Sequence, residues 1–198
     1  MNNHYNTKRL AYMALFAAVA LGLWELESLI PMPLPGVKPG LANIVTLVAM
    51  VLLGRREAGD ILFVRVILAS VFSYNPSAVI FSLAGGAAAW IVMALVLRFF
   101  EEKNFWVVGV LGALGHNAGQ LAAARFYYNM PFSELATMLP WLIIAAVVAG
   151  AFTGVVGMLL LPRLRKLIHL EKPKETAEPA AEEALGAENT MQSEDCDS

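Results

Sequence analysis

The chain has 198 residues, of which 58% are hydrophobic and only 15% are charged, and its mean hydropathy is +0.61. Soluble domains are about 45–50% apolar, and this chain also holds uncharged runs long enough to cross a bilayer, so an ordinary soluble protein is excluded. The net charge of −2 averages an acidic tail, with nine acids and two lysines from residue 171 onward, and a body that carries +5. We expect an integral membrane protein.

The hydropathy pattern predicts an all-α fold: a polytopic bundle of six transmembrane helices. A polar N-terminus covers residues 1–9, a membrane domain covers 10–161, and a basic, then acidic tail covers 162–198 and is expected to be disordered. The helices are expected at about 10–30, 41–54, 58–73, 78–100, 105–128 and 141–161. A short amphipathic connection is expected at 130–139, and Pro162 is expected to end the last helix.

Basic residues predict the orientation. The N-terminus and the segments 55–56, 98–103 and 163–166 together carry nine Lys and Arg residues, whereas the other connections carry Lys38 and at most Arg125. Because Lys and Arg mark the cytoplasmic side, we expect both termini in the cytoplasm of a bacterium and a multi-pass protein in its inner membrane. The loop at 31–40 then faces outward.

That outward loop is rich in proline and glycine. The stretch from Pro31 to Asn43 reads PMPLPGVKPGLAN, with Lys38 in its middle. It is either a rigid surface connection or a lid or wall of a binding site. We favour the binding site, because irregular backbone at membrane depth is tolerated only where it lines a cavity or is buried in protein. Asn43 falls in the first turn of the second helix, where its amide either caps that helix or faces a ligand.

Polar residues inside the predicted helices are the next candidates. Arg65 lies near the middle of the third helix, where an arginine costs about 2.5–3.5 kcal/mol and needs a polar partner. Asp60 is poorly spaced to pair with it on the same helix, so the partner is expected on another helix. In the fifth helix, His116, Asn117 and Gln120 form one polar stripe that cannot face lipid. The stripe is either an inter-helical hydrogen-bond network or the floor of a ligand site.

The first helix contributes two further features. Glu25 and Glu27 fall at its far end, and they are either solvated or part of a cavity under the loop; Glu25 is our candidate for the cavity. Ala14 and Ala18 have the small-xxx-small spacing that lets another helix approach closely. That spacing fits packing within the bundle as well as it fits docking of a partner.

Motifs for catalysis are missing from the sequence. It holds no nucleotide-binding fingerprint, no nucleophile elbow, no zinc motif and no Asp-rich pair for prenyl diphosphate chemistry. A lone His116 makes a weak metal site, and the single Cys196 lies in the tail. We predict no enzyme activity from this chain alone, no metal, no cofactor and no nucleic-acid partner.

Several segments resemble the Gx transporter family, whose members are often labelled heptaprenyl diphosphate synthase component I. They are PGVKPGLAN at 35–43, RREA at 55–58 leading to Arg65, FSLAGG at 81–86 and GHN at 115–117. The resemblance covers about residues 8–165. This family is similar to the substrate-binding S subunits of energy-coupling-factor transporters, which are six-helix proteins with both termini inside.

The resemblance implies a substrate-binding membrane subunit for uptake of a small molecule. The loop would gate a ligand pocket, and the face with Ala14 and Ala18 would dock a transmembrane coupling protein driven by two cytoplasmic ATPases. The synthase label implies instead an accessory role beside a soluble polyprenyl synthase. A membrane part of a quinone- or flavin-linked electron-transfer system is a third alternative. In the transport reading, the expected ligand-binding residues are Glu25, Lys38, Asn43, Arg65, His116, Asn117 and Gln120.

Overall fold

The computed structural model describes residues 7–29, 40–73 and 76–168, and within these ranges it contains six α-helices and no β-strand. This confirms the prediction of an all-α fold. The helices are α1 (Thr7–Ser28), α2 (Asn43–Leu52), α3 (Arg55–Ser73), α4 (Pro76–Val96), α5 (Phe105–Tyr127) and α6 (Phe132–Leu167), with a 3₁₀ turn at Glu102–Asn104. Most of the predicted outward loop, including Lys38, and the tail from residue 169 lie outside the described residues.

The short helix α2 is the centre of the bundle. Its residues 43–50 are all buried, and it packs against α1, α3, α4, α5 and α6. Around it, α1 packs on α3, α3 on α4, α4 on α5, and α5 on α6. A helix that is apolar on nearly every side belongs in a core. At about 1.5 Å per residue, its ten residues cover half of a bilayer core of roughly 30 Å.

The outside of the bundle is apolar. Large side chains such as Phe63 on α3, Ile91 on α4 and Val148 on α6 are 55%, 50% and 66% exposed, which is rare over such an extent in soluble proteins. Three helical segments, Thr7–Glu27, Val79–Val96 and Phe132–Leu167, are long and apolar enough to cross a membrane. The chain is therefore a helical membrane protein. The count of six spans and the orientation stay predictions.

The last helix differs from its prediction. The expected connection at 130–139 is helical from Phe132 onward, and Pro162 does not end the helix, which continues to Leu167. Both internal prolines, Pro140 and Pro162, lie on exposed positions. Each proline removes one backbone hydrogen bond and points its ring away from the packed face. The helix continues past these prolines because its packing against α5 compensates for the lost backbone hydrogen bonds.

Glycines hold α5 and α6 together. A Cβ atom on Gly109 of α5 would collide with the backbone of Gly150 and Gly154 of α6, and one on Gly154 would collide with the backbone of Phe105. The two backbones therefore touch directly along a seam that includes Gly109, Gly150 and Gly154. Gly157 continues this face onto Leu47 of α2.

One end of the bundle is closed by ion pairs, and we call it the basic end. Arg9 of α1 pairs with Glu57 of α3 and donates a hydrogen bond to the carbonyl of Leu53, where α2 ends. Arg165 of α6 pairs with Glu102 in the turn before α5. These contacts tie the first and the last helix to the two turns between them.

Candidate functional site

Buried polar side chains from five helices meet around one level of the bundle, and we call them the polar cluster. All are at most 6% exposed. Its members are Glu27 of α1, Asn43 of α2, Arg65 of α3, Ser82 of α4, and His116, Asn117 and Gln120 of α5. The structure therefore brings together five of the predicted ligand-binding residues, and the predicted polar stripe of α5 does turn away from lipid.

The pair Gly85–Gly86 of α4 lies at the middle of the cluster. A Cβ atom on Gly85 would lie 2.7 Å from Gln120 and 2.9 Å from the His116 ring, and one on Gly86 would lie 3.3 Å from Nη2 of Arg65. Because the Cα atoms of neighbouring residues are only about 3.8 Å apart, the arginine and the imidazole flank the same short stretch of α4. The two glycines leave the space in which these side chains meet.

Gly40 shapes the entrance to α2. Its φ of +85° lies in the left-handed region that favours glycine. A Cβ atom there would lie 2.8 Å from Nδ2 of Asn43 and 3.1 Å from the His116 ring. The turn therefore places Asn43 against α5. Asn43 makes no side-chain cap to α2, whose N-cap is Ala42, so of the two sequence-based alternatives the cap is wrong.

The carboxylate in the cluster is Glu27 and not Glu25. Glu27 is 2% exposed and its Oε1 accepts a hydrogen bond of 3.1 Å from the backbone N–H of Ala42, whereas Glu25 is exposed. Helical spacing could have selected it, because Ala20, Trp24 and Glu27 are three or four residues apart and all face inward. Trp24 donates its indole N–H to Ser82 at 3.1 Å and fixes this face of α1 against α4.

Arg65 is the buried cation of the cluster, with an exposure of 3%. Its electrostatic partner is Glu27, so the partner lies on another helix, as predicted. Its Nε and Nη2 atoms make no hydrogen bond with any residue that the structure describes. Leaving a buried donor unsatisfied costs about 1–3 kcal/mol, and more for a charged group, so these N–H groups call for a further acceptor.

Two amides add to this unused capacity. Asn117 donates through Nδ2 to the carbonyl of Leu142 on α6 at 2.8 Å, which orients its amide. Its Oδ1 then accepts nothing within residues 7–29, 40–73 and 76–168, and Nδ2 of Asn43 likewise finds no acceptor there. His116 and Gln120 take part in contacts of their own. The cluster can therefore bind a polar group with donors on α2 and α3 and an acceptor on α5.

The remaining predicted residues lie elsewhere. Ala14 and Ala18 are both exposed on α1, and Ala14 lines a shallow cavity of about 180 Å³ between α1 and α3. Lys38 lies outside the described residues. Within the described ranges, no group of three or more His, Cys, Asp or Glu side chains is placed to hold a metal ion.

Fold and cluster together define a helical membrane protein with a buried polar site. Residues 16–160 match the family model described as heptaprenyl diphosphate synthase component I, and the chain belongs to this family. The match contains every residue of the polar cluster, and it confirms the heptaprenyl diphosphate synthase component I label expected from sequence, whereas the likeness to transporter subunits stays a prediction. No curated protein matches the chain.

Proposed function

We propose that this chain is a membrane-embedded substrate-binding subunit that takes up a small molecule, similar to the S components of energy-coupling-factor transporters. It has no ATPase of its own and depends on a transmembrane coupling protein with two cytoplasmic ATPases. In this proposal all six helices belong to the membrane domain, both termini are cytoplasmic, and the polar cluster lies toward the outside.

The unused hydrogen-bonding capacity at the polar cluster carries the proposal. Atoms of Arg65, Asn43 and Asn117 are buried from three different helices without partners in the described ranges. Groups of this kind are expensive unless a ligand or ordered water satisfies them. In the chain, the Pro/Gly segment lies between residues at the cluster, since Glu27 precedes it and Gly40 and Asn43 follow it. A buried polar site flanked in the chain by a segment that the sequence predicts to face outward fits an uptake protein.

The exposed alanines of α1 support the need for a partner. Ala14 and Ala18 leave a smooth strip on α1, and next to it lies the cavity bounded by Met13, Ala17 and Ile61. Small residues let a second helix approach its backbone closely. We propose this strip as the docking face for the coupling protein.

Native mass spectrometry of the protein in mild detergent tests the binding role. We expect the wild-type protein to retain a small molecule, and the same molecule to be taken up by cells or vesicles that also contain the coupling proteins. A protein that retains no small molecule, together with uptake that is unchanged when its gene is deleted, would contradict the proposal.

The second candidate is an accessory role for a soluble polyprenyl synthase, as the family description suggests. An apolar cavity of about 560 Å³ favours it: the cavity lies between α1 and α6, with Ile44, Val45 and Val48 of α2 as its floor. An isoprenoid chain has the apolar chemistry of this lining. Co-purification with a polyprenyl synthase, and altered product length on deletion of this chain, would support this role. If neither is found, the accessory role is excluded.

A further inference from the structure

We infer that the polar cluster selects a neutral, zwitterionic or singly negative ligand that carries both a hydrogen-bond acceptor and a donor, and that it rejects diphosphates. This inference rests on the proposed binding function and names the chemical class of the ligand. Two observations carry it: the balance of buried charge, and the mixture of unused donors and acceptors.

The buried charge of the cluster is already balanced. Glu27 and Arg65 are 2% and 3% exposed, and they are the only buried residues with a formal charge among those that the structure describes. The carboxylate of Glu27 on α1 interacts electrostatically with the guanidinium of Arg65 on α3. A diphosphate brings several negative charges into a site where the one buried cation among the described residues is compensated, and uncompensated buried charge is strongly unfavourable. A single carboxylate or a zwitterion does not meet this obstacle.

Glu27 is held where it provides this balance. Its Oε1 accepts the N–H of Ala42, so its charge is fixed at the start of α2, one residue before Asn43. A ligand that binds at Arg65 therefore also lies in the field of a fixed negative charge. This arrangement penalises each additional negative charge on the ligand.

The side-chain atoms without hydrogen-bond partners require both an acceptor and a donor on the ligand. Nε and Nη2 of Arg65 and Nδ2 of Asn43 are donors, whereas Oδ1 of Asn117 is an acceptor. An arginine fork pairs with a planar carboxylate or with a phosphate group, so the fork by itself does not separate these two classes. The Oδ1 atom requires an N–H or O–H group in return, which a bare anion does not supply. A molecule with an acid or carbonyl at one point and an N–H or O–H at another satisfies both sides.

Mass spectrometry of the retained molecule, with charge-matched variants, tests this inference. The full-length protein is purified in mild detergent as wild type, R65Q, N43D and R125Q. R125Q is the matched control, because Arg125 is a half-exposed arginine near the end of α5 that contacts Asn129 and Phe132. Helicity and size-exclusion profiles show which variants are folded. Geranyl diphosphate and inorganic pyrophosphate serve as multiply charged probes in thermal unfolding.

We expect wild type and R125Q to retain a molecule with at most one net negative charge. Occupancy should fall at least about tenfold in R65Q, which is about 1.4 kcal/mol of binding free energy. N43D should fall similarly, because it exchanges a donor for a negative oxygen of the same size. Neither diphosphate probe should stabilise the wild-type protein.

The outcomes separate this inference from the proposed function. A retained diphosphate, or stabilisation by geranyl diphosphate that R65Q abolishes, would overturn the charge class but leave binding at this site intact. Retention of the same molecule by folded R65Q and N43D would place binding elsewhere and overturn this inference alone. A wild-type protein that retains no molecule would overturn both.

Discussion

The basic end and the polar cluster differ in how completely the hydrogen-bond donors of their arginines are satisfied. At the basic end, Arg9 and Arg165 are partly exposed and each pairs with a glutamate on a neighbouring segment. At the polar cluster, Arg65 is buried beside Gly86 of α4. Two of its nitrogen atoms make no hydrogen bond within the described ranges. The pairs of the basic end join helices and turns to each other. The unsatisfied N–H groups of Arg65 leave donors for a further acceptor. The two regions therefore differ in whether the hydrogen-bond donors of their arginines are satisfied, and not in whether the charges are paired.

The largest effect is expected from filling the cluster. G85V adds a branched side chain where Gln120 and His116 already approach a Cβ position within 3 Å. We expect loss of ligand retention by at least about 100-fold, or about 2.8 kcal/mol, and destabilisation of about 1–3 kcal/mol from overpacking. Ligand occupancy by native mass spectrometry and thermal unfolding measure the two effects.

The control for this change is G22V, because a Cβ atom on Gly22 of α1 meets nothing within 4 Å. It should retain the ligand at the wild-type level. Equal loss in the two variants would contradict the proposal that the cluster binds the ligand.

A second prediction separates binding from coupling. The double substitution of Ala14 and Ala18 by leucine should lower uptake about tenfold or more and leave ligand retention unchanged, because it roughens an exposed strip without reaching the cluster. The matched control replaces Ala118 and Ala122, an exposed pair with the same spacing on α5. Uptake that is unaffected by the first pair, or lowered equally by both, would argue against the docking face.

A third prediction concerns the basic end. R9Q removes the pair with Glu57 and the hydrogen bond to Leu53, which join α1 to the turn between α2 and α3. Because these groups are only partly exposed, we expect a loss of about 1 kcal/mol of stability. Thermal unfolding should show the loss, while ligand retention stays at the wild-type level. A variant with intact stability but lost ligand retention would mean that the basic end, and not the polar cluster, is needed for binding.

The smallest effect is expected at the other pair of the basic end. Arg165 and Glu102 are each about half exposed, so R165Q should cost at most about 1 kcal/mol. The difference from wild type should shrink as salt concentration rises, because exposed charges are screened. Unfolding at low and high salt measures this. A large, salt-independent loss would mean that the pair is shielded from water.

Much of the polar cluster was predictable from residue type alone. An arginine, a histidine and two amides inside apolar helices cannot face lipid, so Arg65, His116, Asn117 and Gln120 had to turn inward, and all four are buried. Helical spacing favours Glu27 over Glu25, because Glu27 lies three residues after Trp24 and therefore on the same buried face of α1. The roles of all these cluster residues in ligand binding stay predictions.

Other features depended on contacts that are distant in the chain. The continuation of α6 through Pro140 and Pro162 could not be predicted, because a proline weakens a helix locally while packing along the glycine seam with α5 stabilises it.

By itself, the sequence determined the class of protein, the helical fold and the family. It also determined that Arg65, His116, Asn117 and Gln120 had to be buried, because a membrane penalises polar groups inside apolar helices that face lipid. The tertiary structure decided which of these residues meet. Gly40 and Asn43 meet His116, which lies more than 70 residues further along the chain, and Glu27 meets the start of α2. Such meetings follow from how helices cross, and helix crossing is set by the packing of many side chains at once.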